Sequence, residues 1–176
     1  VNHVSSIVVG NGMDTNVEMG PIANSRRITA LRELVEDARD NGAIVAAGAT
    51  RIDIKGYFFQ PTVLLNVPKN ARIMSEEPFG PIAVINPVKS LDDAIQQANS
   101  VPYGLAGYAF TNRADYIDRL IDRVEVGNLS INTLEASMPE TPFGGVKSSG
   151  HGREGGVEGL QNYMTIKNVW HSVKIS

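Results

Sequence analysis

Between residues 25 and 41 the chain places Ile28, Leu31, Leu34, Val35 and Ala38 three and four positions apart, a spacing that gathers them on one face of a helix. Asn24 or Ser25 can cap its start, and Gly42 stands just beyond its end. The period then shortens. Residues 43–47 (AIVAA), between two glycines, read as a buried strand, and 57–67 (YFFQPTVLLNV) as extended chain with a bend or edge at Pro61. Residues 81–88 form a further strand, after which Ser90 caps a helix over 90–100. That helix carries Asp92 and Asp93 in its first turn, where the helix dipole favours negative charge. Residues 103–111 are strand-like after a turn at Val101 and Pro102, 114–124 set Tyr116, Leu120 and Val124 at helical spacing, and 127–132 are another short strand. A short helix over 156–164 leads into a terminal strand over 165–175, with Ile166, Val169, Val173 and Ile175 as candidates for burial.

Strands alternating with helices predict an α/β fold, a largely parallel sheet flanked by helices. The terminal strand would leave an open edge that a second subunit can pair with, so it predicts an oligomerisation strand and a homo-oligomer. Residues 133–156 break the alternation. They hold six of the 17 glycines and two prolines around a bulky Phe143, the composition of either a long ordered loop or a disordered segment; loops of this length inside a fold are commonly functional, and the functional loop is the favoured reading.

Composition removes several classes of function. With 42% hydrophobic and 20% charged residues the chain can fold around a core, and no apolar run is long enough to span a membrane. The net charge of -3, with 16 basic residues dispersed along the sequence, offers no surface for nucleic acid or an anionic membrane. A soluble, cytoplasmic protein is expected. There is no cysteine, so the chain contains no disulfide, no zinc-thiolate site and no thiol nucleophile. Val1 opens the chain without a methionine, which suggests a break in a longer polypeptide or a processed start.

The remaining chemistry is sparse. Gly150, Gly152 and Gly155 satisfy the spacing G-x-G-x-x-G, but no strand immediately precedes them and no acid follows at the distance a ribose would need, so they read as turn glycines. His3, His151 and His171 have no metal-ligand spacing, and Ser130, Ser148 and Ser149 lack a nucleophile elbow. No catalytic or metal-ligating residue is assigned. Glu76 and Glu77 differ from ordinary surface acids in their setting: Pro78, Gly80 and Pro81 stiffen the backbone behind them, and Phe79 stands two residues from Glu77. A carboxylate beside a flat ring can take a ribose diol and cover a heterocycle.

These residues carry a resemblance. Glu76 to Pro81 (EEPFGP) and the stretch 142–154 (PFGGVKSSGHGRE) are similar to the C-terminal part of the NAD(P)-dependent aldehyde dehydrogenases. Val9-Gly10-Asn11, Gly20-Pro21, Gly56-Tyr57-Phe58, Gln60-Pro61-Thr62-Val63 and Tyr103-Gly104-Leu105-Ala106 follow in the family's order. The resemblance implies that Glu77 bonds the nicotinamide-ribose hydroxyls of NAD or NADP and that Phe79 lies against the nicotinamide. It makes 132–143 the lining of the aldehyde entrance, with Phe143 as an aromatic wall and Glu135, Ser137 and Met138 nearby. Ser137 matches by loop position the hydroxyl with which some relatives hold the distal carboxylate of substrates such as succinate semialdehyde.

Residues 1–148 would then be the latter part of the catalytic domain, 149–163 a connecting loop and short helix, and 164–176 an arm that joins a neighbouring subunit. In the family the chemistry is oxidation of an aldehyde to a carboxylic acid through a cysteine thiohemiacetal, and the cysteine, the general base and the dinucleotide-binding domain lie upstream of these motifs. The chain alone is therefore expected to be inactive. The alternative is a non-catalytic oligomerisation or interaction module that keeps the fold without the chemistry.

Overall fold

The computed structural model describes residues 1–173. The chain divides into two compact units, Val1–Pro87 and Val88–Ser176.

The first unit is organised by one helix. After a short helix α1 (Asn2–Ser6), which the sequence pattern does not announce, α2 runs over Ser25–Asp40. Asn24, not Ser25, is its cap, and its side-chain oxygen accepts the Arg27 N–H at 3.1 Å. The five apolar residues expected on one face are all buried there. They pack with Phe59, Leu64, Val67 and Ile73 into the core of the unit. Beneath the helix lies a sheet of β1 (Ile44–Ala47), β2 (Thr62–Leu65) and β3 (Ile82–Ile85), in that order.

The central β2 pairs antiparallel with β1 and parallel with β3, and its Thr62, Val63 and Leu64 are buried. Thr62 is tolerated inside because its hydroxyl is satisfied twice. It accepts from Ala49 N–H at 2.8 Å and donates to the Gln60 carbonyl at 2.8 Å. The extended stretch 57–67 enters the ladder only at Thr62, since Pro61 has no N–H to give. Phe59, fully buried, forms an isolated bridge with Arg51 instead. A single 3-10 turn, Arg72–Met74, connects β2 to the segment before β3.

The second unit contains α3 (Leu91–Ala98), β4 (Tyr103–Gly104), β5 (Ala106–Ala109), α4 (Ala114–Arg123), β6 (Asn128–Ile131), β7 (Val146–Lys147) and α5 (Gly156–Gln161). Ser90 caps α3 as its position predicts, accepting from Asp93 N–H at 3.2 Å. Arg119 and Arg123 of α4 both bond the Asp92 carboxylate and so tie α4 to the first turn of α3. The apolar faces of these helices and β5 leave an open cleft of about 380 Å³ lined by Leu91, Ile95, Tyr108, Tyr116 and Leu120.

Three expectations need correction. The single strand expected over 103–111 is two, because its ends have different partners: β4 pairs antiparallel with β7, and β5 pairs parallel with β6. The one largely parallel sheet is absent among the described residues, where three small sheets carry two parallel and two antiparallel ladders. Alternation of elements specifies that strands return to a sheet, but not the direction in which a connection such as 48–61 delivers them. The terminal strand does not form among the described residues, and Ile166, Val169 and Val173 are 101%, 72% and 70% exposed. A strand needs a ladder partner, and this segment finds none among the described residues; Ile175 lies outside them.

Candidate functional site

The segment 70–80 is laid along α2 and held to it repeatedly. Asn70 donates to the Asn41 side chain at 2.6 Å, and the Arg72 N–H donates to Asp37 Oδ2 at 2.7 Å. One helical turn places Arg27 and Leu31 on the same flank of α2, and both meet the end of the segment. Arg27 Nη2 donates to the Pro78 carbonyl oxygen. Gly80 lies so close that a Cβ there would stand 2.5 Å from Leu31 Cδ2. That approach favours glycine, because a side chain there would have to displace the fully buried Leu31 or the turn itself.

Within this frame the two acids diverge. Glu76 is paired with Arg72 by two hydrogen bonds, Nε to Oε1 at 2.8 Å and Nη2 to Oε2 at 3.0 Å. The Arg72 hydrogen bond holds the Glu76 carboxyl below the usual carboxylate range, and the carboxylate raises Arg72 in return. Glu77 is exposed, and among the described residues its carboxylate takes part in no hydrogen bond or ion pair. Phe79 follows with φ +43°, a conformation that bulky residues rarely adopt, and the residue is 70% exposed. The Arg27 guanidinium faces that ring at 5.9 Å from its centroid. An acid with open acceptor oxygens and an uncovered ring are thus carried on one rigid turn, which fits a ribose diol joined to a flat heterocycle.

The stretch 133–156 is a loop interrupted by the two-residue β7, and it is fastened at both ends. Asn132, with φ +58°, exchanges two hydrogen bonds with Thr111, each 2.9 Å, and the buried Ser130 hydroxyl donates to the Glu135 carbonyl at 2.7 Å. Phe143 forms an antiparallel bridge with Glu154, its N–H donating at 2.7 Å and its carbonyl accepting at 2.8 Å. Between these points Met138 accepts from Thr141 N–H at 3.1 Å, and Pro139 accepts from Gly156 N–H at 3.0 Å. Glu135, Ser137 and Met138 project from the loop exposed, Phe143 is half-buried, and the Ser137 hydroxyl has no partner among the described residues. Further tightening comes from Gly127, where a Cβ would fall 1.8 Å from the Gly144 carbonyl oxygen, and from Asn128 Nδ2, which donates to the same oxygen at 2.9 Å. Glu77 and Phe79 belong to the first unit, and the loop residues to the second.

Gly150, Gly152 and Gly155 all have positive φ and serve turns between β7 and the six-residue α5. The expectation that no strand stands shortly before them is corrected by the two-residue β7, which pairs with β4 through a contact distant in sequence that local pattern does not encode. No group of three His, Asp or Glu side chains among the described residues could hold a metal ion. No helix of the described residues is long and apolar enough to cross a membrane.

The profile of the aldehyde dehydrogenase family matches residues 1–169. The chain belongs to that family. It is 48% identical over 159 residues to a 4-(hydroxymethyl)benzenesulfonate dehydrogenase of Comamonas testosteroni, covering 90% of this chain and 33% of the relative. It is 39% identical over 164 residues to an NADP(+) succinate-semialdehyde dehydrogenase of Escherichia coli, covering 93% and 34%. Among solved structures, an aldehyde dehydrogenase of Bacillus cereus superposes with a TM-score of 0.94 at 36% identity, covering 99% of this chain and 35% of that one. A betaine aldehyde dehydrogenase of Staphylococcus aureus in complex with NAD+ superposes with a TM-score of 0.86, also at 36% identity, covering 93% and 33%. This aldehyde dehydrogenase chain therefore spans about a third of the length of the curated relatives it matches.

One residue of the site escapes the sequence reading. Arg27 sits beside Ile28 and one turn before Leu31, at the margin of the buried stripe, and a cation at the edge of an apolar face is the signal that marks it.

Proposed function

We propose that the chain is the C-terminal part of an NAD(P)-dependent enzyme that oxidises an aldehyde to a carboxylic acid. The observation that carries this reading is the contrast at the paired acids: Glu76 is tied down by Arg72, while the next residue, Glu77, is left open beside an uncovered Phe79 ring. The nucleophilic thiol comes from outside this chain, which has no cysteine. When bound, the nicotinamide supplies the hydride acceptor.

The residues of this chain position the reactants. Glu77 accepts hydrogen bonds from both ribose hydroxyls and so sets the rotation of the ring they carry. Phe79 limits the ring's excursions from the other side. Phe143, Glu135, Ser137 and Met138 line the approach of the aldehyde, and the open Ser137 hydroxyl can donate to a distal anionic group. An anionic aldehyde is supported by the sulfonate and the succinate semialdehyde in the names of two relatives. Residues 1–148 act as the latter part of the catalytic domain and 149–163 as the connection. Residues 164–176 form an arm whose exposed Ile166, Val169 and Trp170 are covered by a second subunit. We assign the enzyme to the cytoplasm.

Glu77→Gln in the full-length enzyme tests the reading. Loss of a charge-assisted hydrogen bond to the ribose should slow hydride transfer by about tenfold or more, with a smaller effect on aldehyde binding. Unchanged single-turnover kinetics would remove the role assigned to Glu77. The chain alone, given aldehyde and NAD, should form no reduced nicotinamide.

A further inference from the structure

We propose that Arg27 is a positioning residue for the hydride-transfer site. It fixes the Pro78-Phe79 turn and thereby aims Glu77 and Phe79, so the inference rests on the roles given to those two residues above. Neither side chain is packed into the core: the Glu77 carboxylate has no partner among the described residues, and Phe79 is 70% exposed with Arg27 facing its ring. What holds them is the backbone between and after them. Arg27 Nη2 bonds the Pro78 carbonyl, the oxygen of the peptide unit that joins Pro78 to Phe79, and the same guanidinium faces the Phe79 ring at 5.9 Å.

The grip is costly. Arg27 Nε is buried without a hydrogen-bond partner among the described residues, and Phe79 is kept at φ +43°. Such terms persist only where the surroundings over-determine the geometry, and here the surroundings are rigid. The Arg27 N–H is bonded to the Asn24 cap at 3.1 Å, and Gly80 abuts Leu31 one turn along α2. A planar guanidinium can bond a carbonyl through one N–H while it faces a ring, with a geometry more fixed than that of a lysine ammonium. Without it, the turn can relax toward negative φ and the Glu77 carboxylate loses its direction, while the core under α2 keeps all its apolar contacts.

The test uses the full-length enzyme with Arg27→Met, Arg27→Lys, Phe79→Leu, the double variant Arg27→Met/Phe79→Leu and Glu77→Gln. Single-turnover hydride transfer, KM for each substrate and thermal unfolding are measured for all of them. Arg27→Met is expected to slow hydride transfer about tenfold with aldehyde KM unmoved and unfolding little changed, and Arg27→Lys to recover part of the loss. The double variant should be no slower than the worse single one, because both residues act through one turn. If Glu77→Gln is slow and Arg27→Met is within about twofold of the parent, the positioning role is overturned and the reading of Glu77 stands. An earlier unfolding transition with hydride transfer unmoved would also overturn it, making Arg27 structural. If Glu77→Gln is unimpaired, the underlying reading fails and takes this one with it. Should Arg27→Met not fold, Arg27→Gln decides: a loss of about threefold or more supports the role, and a rate equal to the parent's overturns it.

Discussion

Arg72 and Glu76, one turn apart, are joined by two hydrogen bonds of 2.8 and 3.0 Å, and this pairing leaves Glu77 as the open acid of the doublet. Glu76→Gln should therefore leave hydride transfer in the full-length enzyme near the parental rate, whereas Glu77→Gln should not. Equal effects of the two substitutions would show that the doublet acts as one negative patch and not through a single oriented carboxylate.

The same pair has a pH signature. The Arg72 hydrogen bond lowers the Glu76 carboxyl in the folded state, as Arg119 and then Arg123 lower Asp92. A depressed folded-state value means that the contribution to stability is present above the ordinary carboxylate range and is lost as pH falls through the lowered value. Carboxyl NMR titration should find Glu76 titrating lower in the parent than in Arg72→Ala. Both groups are at the surface, so high salt should shrink the difference.

Gly80→Ala would place a methyl group 2.5 Å from Leu31 Cδ2. Overpacking of this kind costs about 1–3 kcal/mol, measurable by denaturant unfolding. If the turn moves away to relieve the clash, stability will be spared and the nicotinamide KM will rise instead. Either outcome places Gly80 in contact with α2, and the absence of both would contradict the close approach.

Phe59 is fully buried against α2. Phe59→Ala should destabilise the first unit by roughly 3–5 kcal/mol. By contrast, Asn24→Ala removes the Arg27 N–H acceptor at the helix start and should cost about 1 kcal/mol.

The terminal segment should govern assembly. Ile166, Val169 and Trp170 are 101%, 72% and 91% exposed, and the apolar cleft between α3 and α4 adds uncovered surface. The isolated chain should self-associate in sedimentation experiments, and Val169→Asp with Trp170→Asp should shift it toward monomer. Sedimentation of the double variant unchanged from the parent would leave the arm without its assigned partner.

Local periodicity was enough to determine the face of α2, since Ile28, Leu31, Leu34, Val35 and Ala38 share one stripe whatever covers them. The cap at Ser90 was legible for a similar reason, and Asn24 as one of two candidates, because capping is a contact between residues three positions apart. The Glu77 and Phe79 pair was visible as a motif, and the loop over 133–156 as a composition. Strand direction was not, because β1, β2 and β3 take their order and polarity from connections whose path no period encodes. Nor could the sequence separate Glu76 from Glu77. Two adjacent acids are chemically alike until Arg72 reaches one of them, and the position of Arg72 depends on Asp37 holding its backbone from α2. Arg27 was hidden for the same reason: its partner, Pro78, is 51 residues away, and only the packing of that turn on α2 brings a surface-looking arginine to the Pro78 carbonyl.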